Sequence, residues 1–254
     1  MTSPTPLLTF QDVCFRYDDG HEALSHVSFK VHTGESIALI GANGAGKSTL
    51  LLHTNGTHIA TAGSVFVGAE TITPKNLTTA RQTVGLVFQN PDDQLFLTTV
   101  EQDVAFGPQN MGLSAAQVEA RVAEALAATN TTALRKRFSH KLSGGEKRRV
   151  ALATVLAMDP DVLVFDEPSA HLDPASRRRF INLMKTMPHA KIIATHDLCL
   201  ALDICERTVV LHNGSIVFDG KTTEVFANPE TLYRWDLELP LCLGERPCVP
   251  PKNS

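Results

Sequence analysis

One short run of this sequence has the residue types, in the right order, to hold a polyphosphate: Gly41, Ala42, Asn43, Gly44, Ala45, Gly46, Lys47, Ser48 and Thr49. It fits G-x-x-x-x-G-K-[ST], with an additional glycine at Gly44, and lies between an apolar run at 36–40 and a helix-forming run at 47–53. That setting is what a phosphate-binding loop requires. Glycines let the backbone turn successive N–H groups onto one anion, and the helix that follows adds its positive N-terminal end. Lys47 then reaches the β and γ phosphates and Ser48 the Mg²⁺ that accompanies them. The expected chemistry is binding of a nucleoside triphosphate.

Further along, VLVFDE at 162–167 is a continuous apolar run closing in two carboxylates, the pattern of a central parallel strand buried on both faces. Ligands gather at the C-terminal ends of such strands. Asp166 fits the carboxylate that supports Mg²⁺, and Glu167 beside it is a candidate general base for water. The next apolar run, 191–195, ends at His196 and Asp197; a histidine there either touches the γ-phosphate or is a loop residue beside a capping aspartate. Ser143, Gly144, Gly145 and Glu146 stand where a helix should begin, after a basic run at 135–141. They form either a plain Ser/Gly cap or a seat for an anion. Tyr17 ends the first strand, where its ring either packs or stacks on a purine.

These groups need a frame. Strands at 7–15 and 27–31, separated by an Asp-Asp-Gly turn, imply an antiparallel start. Short strands follow at 64–68 and 84–88, then a polar, proline-broken segment at 89–96 and a helix over 100–106. Ser114 and Gln117 form a capping box for a helix to residue 128, along which Val118, Val122 and Leu126 share one face. A helix from Pro174 to Met184 and a hairpin over 207–218, turning at Asn213-Gly214, complete the reading. The fold class is α/β, with a helical middle between two strand-rich parts.

A length of 254 residues suits one large domain. Residues 1–6 read as a flexible arm and 241–254 as a Pro-rich tail. A net charge of −4 disfavours nucleic acid as the partner, since a phosphate-backbone binder is usually basic. No apolar stretch approaches the 18 residues of a membrane span, so membrane contact must come through a partner. The five cysteines are odd in number and scattered, with no leader-like start, and are expected as free thiols in a reducing cytosol. Cys242 and Cys248, with no histidine or carboxylate cluster around them, make no metal site.

Taken together the chain resembles the nucleotide-binding subunit of an ABC transporter, from about Leu8 to Asp219. The resemblance is carried by the phosphate loop, Gln89 at a strand end, LSGGE at 142–146, Asp166-Glu167, SAHLDP at 169–174 and His196, in that family's order. It implies a P-loop NTPase cassette over residues 7–240, with a RecA-like core sheet, an antiparallel β subdomain and a helical subdomain at about 90–157. It further implies a head-to-tail dimer, homo- or heteromeric, in which Ser143, Gly144, Gly145 and Glu146 of one subunit close over ATP on the loop of the other. Tyr17 gains the adenine-stacking role, Ser48, Gln89 and Asp166 the Mg²⁺, and Glu167, His196 and Gln89 the catalytic roles. The segments 87–96 and 104–113 resemble energy-coupling-factor importers, and 196–205 with 211–214 their cobalt/nickel branch. That places the chain at the cytoplasmic face of the membrane, beside integral transport subunits. A vitamin importer, biotin included, is the alternative; a mechanical ABC ATPase acting on DNA or ribosomes fits less well, lacking a coiled-coil insertion. His171 departs from the family, which more often has Gly or Asn there.

Overall fold

The computed structural model describes residues 5–227 and 229–239. Two long strands, β1 (Leu8–Arg16) and β2 (Glu22–Val31), precede β3 (Ser36–Ile40) and the helix α1 (Lys47–His53). Next come β4 (Ala62–Val67), β5 (Glu70–Thr71), α2 (Leu77–Thr83) and β6 (Val84–Val87). The helical middle holds α3 (Val100–Asn110), α4 (Ala115–Ala128) and α5 (Gly144–Leu156). The remainder is β7 (Val162–Asp166), α6 (Pro174–Thr186), β8 (Ala190–Ala194), α7 (Leu198–Ile204), β9 (Arg207–His212), β10 (Ser215–Lys221), α8 (Thr222–Val225) and α9 (Pro229–Arg234).

The short apolar runs form one sheet of order β10-β9-β3-β8-β7-β6, parallel throughout except for β10 at its edge. Both faces are covered, which is why these strands carry no polar alternation. Ile37 and Leu39 face a core shared with Leu50 and Leu51 of α1 and with β1 and β2, while Ala38 and Ile40 face Phe180 and Met184 of α6 and Leu200 of α7. The second sheet, β2-β1-β4-β5, is antiparallel and is pinned by Phe10 stacked on Phe29 across the strands, centroids 4.4 Å apart. A third core, around Val104, Val122, Leu126 and Val150, joins α3, α4 and α5. The capping box at Ser114 and the Asn213-Gly214 hairpin form as expected, the latter with both residues at positive φ.

Element ends differ most from the expectation in two places. β2 begins at Glu22, not 27, because Phe15 and Arg16 pair with Leu24 and Glu22; a kink at His26, φ 53°, breaks the alternation that would have revealed it. α3 runs past Pro108 to Asn110, accommodating a proline whose nitrogen has no hydrogen to give the Val104 carbonyl, and Gly112 at φ 75° follows its end. The cysteine expectation is corrected in part. Cys14 and Cys205 are free, but Cys199 on α7 is disulfide-bonded; spacing along a chain does not report which sulfurs meet in space. Cys242, Cys248 and the Pro-rich tail lie outside the described residues, as do residues 1–4 of the arm. Among the described residues no helix is long and apolar enough to cross a membrane.

Candidate functional site

The loop between β3 and α1 is shaped by close approaches that only glycine permits. A Cβ on Gly41 would sit 2.2 Å from the Leu211 carbonyl oxygen, and one on Gly46, at φ 102°, 2.5 Å from that of Ala23. The loop is thereby pressed between β9 and β2, and Lys47 begins α1 with only 8% of its surface exposed. Its ammonium donates to the carbonyls of Gly41 (2.8 Å) and Ala42 (3.0 Å) and, among the described residues, to no carboxylate. Burial lowers the Lys47 pKa, opposed by Glu167 and then Asp166. A cation so held is positioned in advance, with its charge uncancelled by an ion pair.

Asp166 ends β7 beside Ala194 of β8, which brings the two strand ends together. Burial pushes the Asp166 carboxyl up, and the bond from the Ser48 hydroxyl works against that. Its Oδ1 is buried with no partner. An unsatisfied carboxylate oxygen next to a hydroxyl is an oxygen donor set that suits Mg²⁺. Glu167, 8% exposed, takes φ 46°, a left-handed conformation costing roughly 1–3 kcal/mol in a non-glycine residue. That turn aims its carboxylate at the next loop, where it accepts from the His196 amide (3.1 Å) and the Thr195 hydroxyl (3.4 Å) and pairs with His196 Nδ1 at 2.8 Å.

A cavity of about 660 Å³ gathers Tyr17, Asn43, Gly44, Gly46, Lys47, Ser48, Thr49, Gln89, Glu167 and His196 in its wall. Gly41, Ala42, Ala45 and Asp166 are not in its wall. The Tyr17 hydroxyl shares a 2.9 Å hydrogen bond with the Thr49 hydroxyl, which fixes the strand-end ring over the start of α1. Ser143, Gly144, Gly145 and Glu146 are not in this wall. Ser143 caps α5 in a capping box, donating from N (2.8 Å) and Oγ (2.9 Å) to Glu146, whose carboxyl those bonds and Arg137 hold below its usual range. Ser143 and Gly144 are exposed.

The loop, the acid pair and this serine-glycine helix tip coincide with a family match: residues 24–170 fit the family described as ABC transporter. The chain belongs to the ABC transporter family. A putative ABC transporter ATP-binding protein of Geobacter sulfurreducens is 51% identical over 93% of this chain and 95% of its own length. The energy-coupling factor transporter ATP-binding protein EcfA1 of Methanospirillum hungatei is 46% identical over 92% of this chain and 86% of its own. Among solved structures, cbiO1 from Clostridium perfringens, described as part of the ABC transporter complex cbiONQ, superposes with a TM-score of 0.80 at 36% identity, covering 91% of this chain and 94% of that one. The fold is that of the ABC cassette, and the chain is an ATP hydrolase of the transporter class.

His21 is a residue of the cavity that the sequence reading did not place there. His21 faces Tyr17 across the turn, their rings 6.3 Å apart and 13° from parallel. The Asp-Asp-Gly turn between strands was the signal that could have placed them together. His171 also lines the cavity, at φ 61°, a conformation that Gly and Asn adopt with least strain. Its departure from the family pattern is therefore a backbone cost at that loop.

Proposed function

We propose that this chain energises an energy-coupling-factor importer for cobalt or nickel ions by binding and hydrolysing ATP. The observation that carries the reading is the convergence of Lys47, Ser48 and the Glu167–His196 pair on one cavity, with Asp166 acting on Ser48 from the end of β7. ATP enters with its base against Tyr17 and its phosphates against the amides and carbonyl-held ammonium of the loop. Ser48, Asp166 and Gln89 hold Mg²⁺, which neutralises charge on the phosphate oxygens. Glu167 orients the attacking water and takes its proton. With its Nδ1–H donating to Glu167, His196 presents Nε2 to the γ-phosphate.

Ser143, Gly144, Gly145 and Glu146 act on the cavity of a second subunit, either a copy of this chain or a sister ATPase. The exposure of Ser143 and Gly144, and the absence of all four from the wall around Lys47, support that role. Within the tip the Glu146 carboxylate serves to hold Ser143. The membrane subunits meet the apolar surface near the 89–96 segment, where Phe96, 62% exposed, stands edge-on to Phe106. The metal cargo is supported by the 196–205 segment and by the likeness to cbiO1.

Affinity purification from native membranes should yield the chain with integral membrane proteins. Glu167→Gln should leave that association and ATP binding intact while abolishing uptake of labelled cobalt(II) or nickel(II), with turnover lowered by about 10² to 10⁴. Copurification with nucleic acid, or loss of biotin uptake with metal uptake intact, would contradict the reading.

A further inference from the structure

Arg148 is 2% exposed, one turn and a half along α5 from its cap Ser143, and among the described residues it has no carboxylate partner at salt-bridge distance. Its Nη1 donates to the Phe88 carbonyl at 2.8 Å and its Nη2 to the Ala170 carbonyl at 3.4 Å, while Nε is buried without a partner. Burial lowers its pKa, opposed only by Asp166. An isolated buried guanidinium costs several kcal/mol, and an apolar side chain of similar length commonly serves stability as well or better. Its partners account for that cost.

Phe88 immediately precedes Gln89. Ala170 closes a turn back onto Glu167, its amide donating to the Glu167 carbonyl at 3.1 Å. The guanidinium thus spans the segment that carries Gln89 and the loop that follows Glu167, from a helix whose tip is Ser143. Other bonds tie α5 to the first of these segments alone: Lys147 pairs with Asp92, and Gln94 Nε2 donates to the Ala151 carbonyl and to Thr154 Oγ1, both at 2.8 Å. Arg148 adds the reach to the second.

We propose that Arg148 is a positioning residue that couples the tip of α5 to the acid end of β7, so that a shift at Gln89 or Glu167 moves the serine-glycine tip with it. The proposal rests on the ATPase reading above. It separates two properties: ATP binding by the subunit's own loop does not pass through Arg148, whereas assembly of the hydrolytic geometry does.

The test compares wild type, Arg148→Met and Arg148→Lys as full chains, by melting temperature, ATP affinity and steady-state ATPase. Arg148→Met should melt at or above wild type and keep its ATP affinity within about threefold, while kcat falls at least about tenfold at unchanged KM. Arg148→Lys keeps the charge, but one ammonium does not reproduce the planar fork across two carbonyls, so kcat should fall by about threefold or more. A kcat for Arg148→Met within about twofold of wild type, or a loss of ATP affinity as large as the loss of turnover, would overturn the proposal. Should Arg148→Met not fold, an Arg148→Lys kcat equal to wild type overturns it and a reduced kcat at wild-type affinity supports it. A wild-type chain that binds ATP yet never hydrolyses it, alone or with its partners, overturns the ATPase reading itself.

Discussion

The phosphate loop and the tip of α5 are both glycine-rich helix entries, and they differ in what surrounds them. Around the loop the protein's own backbone is close enough that Gly41 and Gly46 would clash with Leu211 and Ala23 if they carried side chains, and Lys47 is buried. At the tip, a Cβ on Gly144 would meet nothing within 4 Å, one on Gly145 would meet only the Ser176 side chain, and Ser143 is exposed. The first is a finished surface made by one chain. The second is a surface finished within itself, by the capping box, and open on its outer side. A half-site of this kind does chemistry when a second cradle meets it, which is the proposed dimer.

Two substitutions set these regions against each other. Lys47→Ala removes a charged donor and should lower ATP affinity by about 10- to 100-fold, with turnover lost in step. Gly144→Glu has room for its side chain, and an acid in the first turn of a helix is favourable. It should therefore leave the fold and the subunit's own ATP affinity unchanged and stop turnover. Titration of each variant with a fluorescent ATP analogue checks this; a Gly144→Glu affinity loss matching that of Lys47→Ala would erase the distinction.

A smaller effect tests how firmly the loop is anchored from below. His53 ends α1, fully buried, with Nδ1 2.7 Å from the Thr49 carbonyl oxygen, and burial drives its pKa from 6.5 to about 4, the Thr49 bond opposing and His58 adding to the shift. Below 6.5 the unfolded chain takes a proton that the native ring refuses until about pH 4. The stability that neutral His53 protects is therefore complete above that upper value and is lost as pH falls to the lower, by roughly 3 kcal/mol in all. Denaturant midpoints followed downward through this window should fall more steeply for wild type than for His53→Gln. Parallel curves would contradict it.

Much of this fold was legible because its signals are local. The loop is consecutive, the strand ending in Asp166 and Glu167 is unbroken apolar sequence, and the caps at Ser114 and Ser143 need only a glutamine or glutamate three residues on. The gathering of Lys47, Ser48, Glu167 and His196 at one cavity follows from parallel strands whose ends are adjacent. What stayed hidden depends on pairs far apart in sequence. Arg148 reads as one more cation in a basic run until Phe88 and Ala170 are seen beside it. Gly41 looks like a turn residue until Leu211 is found against it. The true start of β2 was masked by a kink at a polar residue.

The central claim, that a loop from one subunit and a helix tip from another make each working site, is tested most directly by mixing two inactive proteins. A dimer of one Lys47→Ala subunit and one Gly144→Glu subunit has both defects in one site and neither in the other. If each variant alone still self-associates but does not turn over ATP, an equal mixture should recover about a quarter of wild-type ATPase, half of the dimers being mixed with one intact site of two. A mixture as inactive as its components would contradict the account.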